Sequence, residues 1–194
     1  MTFILNNLKE ALAADTPKNE MKRELMSILA MGPLVTVQAH AEIYMSEDKA
    51  ASSIFPGAIF ERRQINLLPE TINEVESLSG ETVRSPLLKV FKTKENDTVF
   101  IDQVLGKHEF ITYAVGIDRA GKVRGIEILE YRESYGNQVK EDAWKSQFLG
   151  KSKDAPLKLN NDIQAVSGAT LSSAHVTAGV RRILHTYDRV KNLR

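Results

Sequence analysis

Three segments rich in β-branched residues follow one another in the middle of the chain, and this arrangement constrains the fold most strongly. They are Thr98 to Leu105, Glu109 to Asp118 and Lys122 to Tyr131. A parallel connection needs a crossover of about a dozen residues or more. The links here, Gly106-Lys107-His108 and the tight-turn sequence Asp118-Arg119-Ala120-Gly121, are much shorter. The three segments are therefore predicted to form an antiparallel meander.

Helical patterns flank the meander. Pro69 to Leu78 begins with a proline and is followed by Gly80, a start and a stop for a short helix. Glu141 to Leu149 is predicted as a second helix. Ser172 to Leu193 carries a continuous apolar stripe, with four charged residues outside it: Arg181, Arg182, Asp188 and Arg189. This order predicts an α+β fold, an antiparallel sheet meander with a short helix and a long C-terminal helix packed on it.

The composition excludes several classes of protein. With 42% hydrophobic and 26% charged residues the chain resembles an ordinary globular protein. Its formal net charge of +1 lacks the basic surplus of a nucleic-acid binder. The cysteine count of 0 excludes disulfides, cysteine-ligated zinc, iron–sulfur clusters and thioether-linked haem from this chain. Redox chemistry would require an organic cofactor.

The first forty residues contain the pattern of a secretory signal peptide. Met21-Lys22-Arg23 is basic, Leu25 to Val37 is apolar, and Gln38-Ala39-His40-Ala41 ends in an Ala-x-Ala cleavage pattern. The apolar run is shorter than the roughly 20 residues that span a bilayer. We therefore interpret 21–41 as a signal peptide that starts at Met21, and 1–20 as an upstream extension. A buried core helix is the alternative.

The segment from Asp162 to Ser173 carries the chemistry. Its small residues Ser167, Gly168 and Ala169 leave room for a bulky group near the backbone, and glycine permits unusual backbone angles. The long helix begins just beyond, with Ser172 or Ser173 predicted as its N-cap. Free N–H groups at a helix start favour a phosphate. The hydroxyl of Thr170 is predicted to lie next to that anion site; a plain helix cap is the alternative.

Ser167-Gly168-Ala169-Thr170, followed by Leu171-Ser172, resembles the flavinylation motif of the FMN-binding domain family. That family includes flavin subunits of the sodium-pumping NADH:quinone reductase and of the Rnf complex. The resemblance implies FMN esterified through its phosphate to Thr170 by a dedicated flavin transferase that uses FAD. It also implies redox partner proteins, some of them membrane-bound.

A second element of the family lies upstream. Glu133-Ser134-Tyr135-Gly136 stands where members have a Glu-Thr-Pro-Gly-like loop, and Phe148-Leu149-Gly150-Lys151 follows as the Phe-x-Gly ending. The resemblance covers about Ser53 to Tyr187. It implies that the cofactor contacts come from two loops, with Lys151 a weaker candidate: Glu133, Ser134 and Gly136 from the first, and Ser167, Gly168, Ala169, Thr170 and Leu171 from the second. Trp144 either stacks on the flavin or anchors its helix in the core.

Two positions depart from the family pattern. Gln164 stands where many members have an acidic residue, three positions before Ser167, and Tyr135 replaces the loop proline. Either Asp162 takes the place of that acid, or attachment of FMN is weakened. Tyr135 either lies against the flavin ring or is an exposed loop tyrosine.

These observations favour an extracytoplasmic electron-transfer flavoprotein in the periplasm, peripheral to a membrane, rather than a self-sufficient enzyme. Residues 42–97 would form an N-terminal part with a short helix, and 98–194 the FMN-binding domain. No catalytic triad is apparent, and His175 and His185 do not have metal-pair spacing. The alternatives are a small flavin-dependent reductase and a flavin-free interaction or sensing module on the same fold.

Overall fold

The computed structural model describes residues 42–133 and 136–192, and the predicted extension and signal peptide lie outside this part. Within it, the strands are β1 (Glu42–Ile43), β2 (Glu61–Asn66), β3 (Leu87–Lys92), β4 (Thr98–Leu105), β5 (Phe110–Ile117) and β6 (Val123–Tyr131). The α-helices are α1 (Glu47–Ile54), α2 (Pro69–Ser79), α3 (Asp142–Lys145) and α4 (Thr170–Val190). Short 3₁₀ turns cover Asn137–Lys140 and Ser146–Phe148.

The strands form one six-stranded sheet in the order β1-β6-β5-β4-β3-β2, with every pairing antiparallel. The predicted meander is confirmed as β4, β5 and β6. Leu105 pairs with Phe110 at the first turn of the meander, and Gly116 pairs with Gly125 near the second. The sheet continues from residues 42–97 into the meander without a break, because β3 pairs with β4.

One face of the sheet packs against α4. Ile111, Tyr113, Val115 and Ile117, which occupy alternate positions of β5, are all 0% exposed. The apolar stripe of α4 covers them with Val176, Val180, Ile183, Leu184, Tyr187 and Val190. Burying each of these side chains contributes about 1.5–3 kcal/mol, so this contact stabilises the fold substantially. The predicted α+β class, with a long C-terminal helix packed on the sheet, is confirmed.

The other face of the sheet receives α1. Ile54 lies over two glycines of the meander, because a Cβ on Gly116 would be 2.3 Å from its Cγ2 and one on Gly125 would be 3.2 Å from its Cγ1. The sequence patterns did not predict α1, nor β2 and β3. The charged run Glu61-Arg62-Arg63 in β2 does not alternate between apolar and polar residues. Four of the first five residues of this edge strand are exposed, so it has no buried face that would require apolar side chains.

The helices near the site differ from the predictions. The predicted helix 141–149 is a single α-turn, α3, followed by a 3₁₀ turn. The long helix begins two residues earlier than expected, at Thr170, and ends at Val190. Helix α2 is as predicted, with Pro69 at its start and Gly80 in the left-handed conformation at φ 70°.

Arg181 and Arg182 were expected to lie outside the buried stripe of α4, and this prediction is wrong. Arg182 is 4% exposed and forms an ion pair with Asp102, whose Oδ2 also accepts a 2.6 Å hydrogen bond from the hydroxyl of Tyr113. Arg181 is half-buried and donates to the carbonyls of Ser79 and Leu157, at 2.8 Å each. A buried charge is tolerated when it is paired in this way, and simple helical periodicity does not show the pairing.

Candidate functional site

The small-residue segment forms a tight turn that leads directly into α4. The N–H of Ala169 donates to the carbonyl of Val166 at 3.0 Å. Gly168, the third residue of the turn, has φ 78°, a conformation that favours glycine. Ser167 and Gly168 are exposed. Among the described residues, no atom lies within 4 Å of the place that a Cβ on Gly168 would occupy, so the space beside the turn is open.

The predicted N-cap is wrong. The N-cap residue of α4 is Ala169, and Ser172 and Ser173 lie inside the first turn, where both are buried. The hydroxyl of Ser173 donates to the carbonyl of Ala169 at 2.8 Å and accepts the N–H of Val166 at 3.2 Å. Ser173 therefore fixes the preceding turn instead of capping the helix.

The start of α4 fits a phosphate group. No side chain of the described residues caps this end, and the first N–H groups of a helix have no partner within it. Thr170 is exposed, and Leu171 beside it is 48% exposed. An exposed threonine at the uncapped, positive end of a helix of 21 residues suits an esterified phosphate.

The two predicted loops meet at Gly136 and Ala169. Gly136 is buried with φ 92°, and a Cβ there would lie 2.8 Å from the Cβ of Ala169 and 2.5 Å from the hydroxyl oxygen of Tyr131. The first loop thus contacts the second immediately before α4 begins. Ser134 and Tyr135 lie outside the described residues, so their predicted contacts stay predictions.

Glu133 is held by the turn between β4 and β5. Its Oε1 accepts the N–H groups of His108 at 2.5 Å and Glu109 at 3.1 Å. Burial raises the pKa of this carboxyl, but these backbone donors outweigh burial and the net shift is downward. Glu133 therefore orders the neighbouring hairpin turn, and its predicted contact with a cofactor stays a prediction.

Tyr131 is a site residue that the sequence patterns did not predict. Its phenol is 2% exposed and shares a 3.0 Å hydrogen bond with the hydroxyl of Ser172 in the first turn of α4. Burial raises its pKa, the bond to Ser172 lowers it, and the charge of Glu133 raises it, with a net upward shift. The signal in the sequence was a tyrosine that ends a strand just before the first loop.

Trp144 is anchored in the core. It is 5% exposed, and its ring meets Phe148 edge to face with 5.0 Å between the ring centroids. Its Nε1 donates to the carbonyl of Gln164 at 2.9 Å. The structure supports the anchoring interpretation and adds a polar contact to the segment that precedes the motif.

Asp162 and Lys151 form an ion pair with each other. Lys151 Nζ lies 2.9 Å from Asp162 Oδ2. The same carboxylate accepts the N–H groups of Leu157 at 3.2 Å and Lys158 at 2.9 Å. Burial raises the pKa of Asp162, but these donors give a net lowering. The carboxylate of Asp162 thus orders the 157–162 loop, whereas the side chain of Gln164 is exposed.

The described part of the chain does not bring potential metal ligands together. Within residues 42–133 and 136–192, no cluster of three or more histidine, cysteine, aspartate or glutamate side chains could hold an ion.

No helix in the same part of the chain is both long and apolar enough to cross a membrane.

Comparison with known proteins shows which family model and which proteins the chain is similar to. Residues 106–185 match the family model described as the FMN-binding domain. The chain is 29% identical over 133 residues to a subunit of the Na(+)-translocating ferredoxin:NAD(+) oxidoreductase complex of Acetobacterium woodii. That match covers 61% of this chain and 64% of the relative, so the chain spans less than two thirds of the relative's length.

Among solved structures, the chain is similar to one subunit of the Na(+)-translocating NADH-quinone reductase from Parabacteroides distasonis. The TM-score is 0.48 and the identity 15%, and the match covers 77% of this chain and 86% of the other.

Proposed function

We propose that this protein is an electron-transfer flavoprotein that carries FMN covalently on Thr170. One observation supports the attachment more than any other: an exposed threonine lies at the uncapped start of a long helix, directly after an open turn. The match of residues 106–185 to the FMN-binding domain model, together with the flavin motif, supports the choice of FMN as the cofactor. The relative from A. woodii, which belongs to a redox complex, supports electron transfer.

The attachment is a transfer of the FMN phosphoryl group. The P–O–P bond of FAD breaks, a bond forms between the Thr170 oxygen and the FMN phosphorus, and AMP leaves with the proton of the hydroxyl. A flavin transferase would supply the base and the metal chemistry for this step. The chain itself offers the exposed hydroxyl, while the free N–H groups of α4 would stabilise the phosphodiester that results.

FMN supplies one-electron and two-electron redox chemistry when it is bound. The residues of this chain would hold and orient the group. The contact between Gly136 and Ala169 keeps the two loops together, and the hydrogen bond between Tyr131 and Ser172 fixes the first turn of α4 against β6. A phosphate at Thr170 would therefore have a rigid surface behind it.

The test is the mass of the intact protein after coexpression with a flavin transferase. We expect the wild type to gain the mass of FMN less one water. Thr170→Ala should gain nothing, and Ser167→Ala, which removes the hydroxyl of the other exposed motif residue, should still gain the mass of FMN. A wild-type protein that gains no mass, or a Thr170→Ala variant that still does, would refute covalent attachment at this residue.

A flavin-free interaction module is the second candidate, and it has one specific observation in its favour. Gln164 occupies the place of the family's acidic residue, and the carboxylate of Asp162 is engaged by Lys151 and two backbone N–H groups. Asp162 is therefore poorly placed to substitute for that acid. The mass measurement distinguishes the two candidates, since a flavin-free module gains nothing.

We also propose an extracytoplasmic location, with redox partners in a membrane complex. Its support is the basic, apolar and Ala-x-Ala pattern of residues 21–41. Export followed by N-terminal sequencing tests this proposal. A mature chain that begins at Glu42 is expected, and an exported chain that still begins at Met1 would contradict it.

A further inference from the structure

Two side chains from one segment hold the backbone of Gln164, just before the motif. Trp144 Nε1 donates to the Gln164 carbonyl at 2.9 Å, and the Gln164 N–H donates to Gln147 Oε1 at 2.7 Å. Both polar backbone groups of this residue are thus paired with side chains instead of a neighbouring strand. The side chain of Gln164 is exposed, so the main chain is what these contacts fix.

The side chains of Trp144 and Gln147 are themselves held in fixed orientations. Gln147 Nε2 donates to the carbonyl of Trp144 at 3.3 Å, and this bond turns Oε1 of the same amide toward Gln164. The indole of Trp144 is buried against Phe148. Packing and hydrogen bonding therefore set the donor and the acceptor in place before any partner arrives.

The other end of the motif is held by α4. Ser173 binds the N–H of Val166 and the carbonyl of Ala169. The exposed residues Ser167 and Gly168 lie between these two attachments. A short segment tied at both ends has few conformations, although its middle is open to solvent.

We propose that Trp144 and Gln147 are positioning residues for the modification of Thr170. By fixing the main chain at Gln164, they hold the segment from Gln164 to Thr170 in the conformation that a flavin transferase binds. Without them the segment would have to be ordered during docking, and the entropy lost would slow the loading. This inference rests on the proposed function.

Gln147→Ala removes the acceptor from a half-buried side chain near the surface, so the fold should persist. We expect its kcat/KM for FMN loading by a flavin transferase to fall about tenfold, with the thermal midpoint close to that of the wild type. Gln147→Glu keeps an oxygen acceptor for the Gln164 N–H but loses the Nε2 donor that orients it, so it should restore part of the loading rate. Gln138→Ala is the control, because Gln138 is exposed and its side chain makes no hydrogen bond with the described residues.

A second readout does not depend on flavin. Hydrogen exchange of the Gln164 amide should accelerate in Gln147→Ala and be unchanged in Gln138→Ala. Trp144→Phe, which keeps an aromatic ring but removes the N–H, should also slow loading.

The inference is overturned if Gln147→Ala loads at the wild-type rate, whether or not its Gln164 amide exchanges faster. It is also overturned if Gln147→Glu loads as slowly as Gln147→Ala. Failure of the wild type to load at all would refute the proposed function, and the inference with it. The two failures are distinguishable, because one is seen in the wild type and the other only in the variants.

Discussion

Gly136 and Ala169 lie so close together that a methyl group added to Gly136 would stand 2.8 Å from the Cβ of Ala169. This contact joins the two loops that the sequence motifs had assigned separately to the cofactor. Gly136 also has φ 92°, which an L side chain adopts only with strain. Two independent physical reasons therefore require glycine at this position.

Gly136→Ala should lower the free energy of unfolding by about 2 kcal/mol or more, from backbone strain plus overlap with Ala169 and Tyr131. Gly150→Ala is the matched control. Its φ of 74° gives comparable strain, but no atom of the described residues lies within 4 Å of its Cβ position. Urea denaturation of both variants measures the difference, and equal losses would contradict the close contact.

Gly179→Ala should destabilise the protein although alanine favours helices. A Cβ at this position would lie 2.2 Å from the Tyr113 hydroxyl oxygen and 2.8 Å from Val104 Cγ1. We expect a loss of about 1–3 kcal/mol from overpacking. In a Tyr113→Phe background the loss should be smaller, since the nearest atom is gone. A double-mutant cycle by chemical denaturation tests this, and strict additivity would contradict it.

The buried ion pair of α4 should be far more sensitive to substitution than an exposed pair. Asp102→Asn leaves the buried charge of Arg182 uncompensated and should cost about 2–4 kcal/mol of stability. Asp142→Asn removes a carboxylate that is 97% exposed and pairs with Lys145, and it should cost less than about 1 kcal/mol. Similar midpoints in a thermal melt of the two variants would show that the Arg182 contact is not needed.

The contribution of Asp188 to the stability of the fold should depend on pH in the acid range. Hydrogen bonds from Lys153 and Lys191 lower the pKa of Asp188 from 3.8 to about 2, against a smaller opposing effect of burial. A carboxyl with a lowered folded-state pKa stabilises the fold above its unfolded value and loses that effect as the pH falls.

Asp188→Asn should therefore lose about 1 kcal/mol at pH 7, a value reduced by solvent screening of the exposed lysines. The difference from the wild type should shrink as the pH falls from the unfolded pKa of 3.8 to the folded pKa of about 2, because the carboxyl becomes protonated over this range. Asp154→Asn, an exposed neighbour, is the control. A difference that stays constant across this pH range would contradict the prediction.

The sequence was sufficient to predict an element of the fold where a single physical rule determined its structure. Short links between three apolar segments specified the meander, and the stripe from Val176 to Val190 specified the buried face of α4. Gly168 and Gly136 were placed in turns or loops, and both have a positive φ.

Other features depend on contacts between residues far apart in the chain. Nothing local shows that Arg182 is buried, because its partner Asp102 lies on a different element, strand β4. Ser173 resembles a cap in the sequence but faces inward to hold Val166. The contacts of Trp144 and Gln147 with Gln164 likewise required the fold to be known.

The attachment of FMN is tested most directly by locating the added mass. After loading and trypsin digestion, the peptide between Lys158 and Arg181 contains Thr170 together with Ser167, Ser172, Ser173 and Thr177. Fragmentation by tandem mass spectrometry should place the mass of FMN less one water on Thr170. The same mass on any of the other hydroxyls, or an unmodified peptide from a loaded preparation, would contradict covalent attachment at the start of α4.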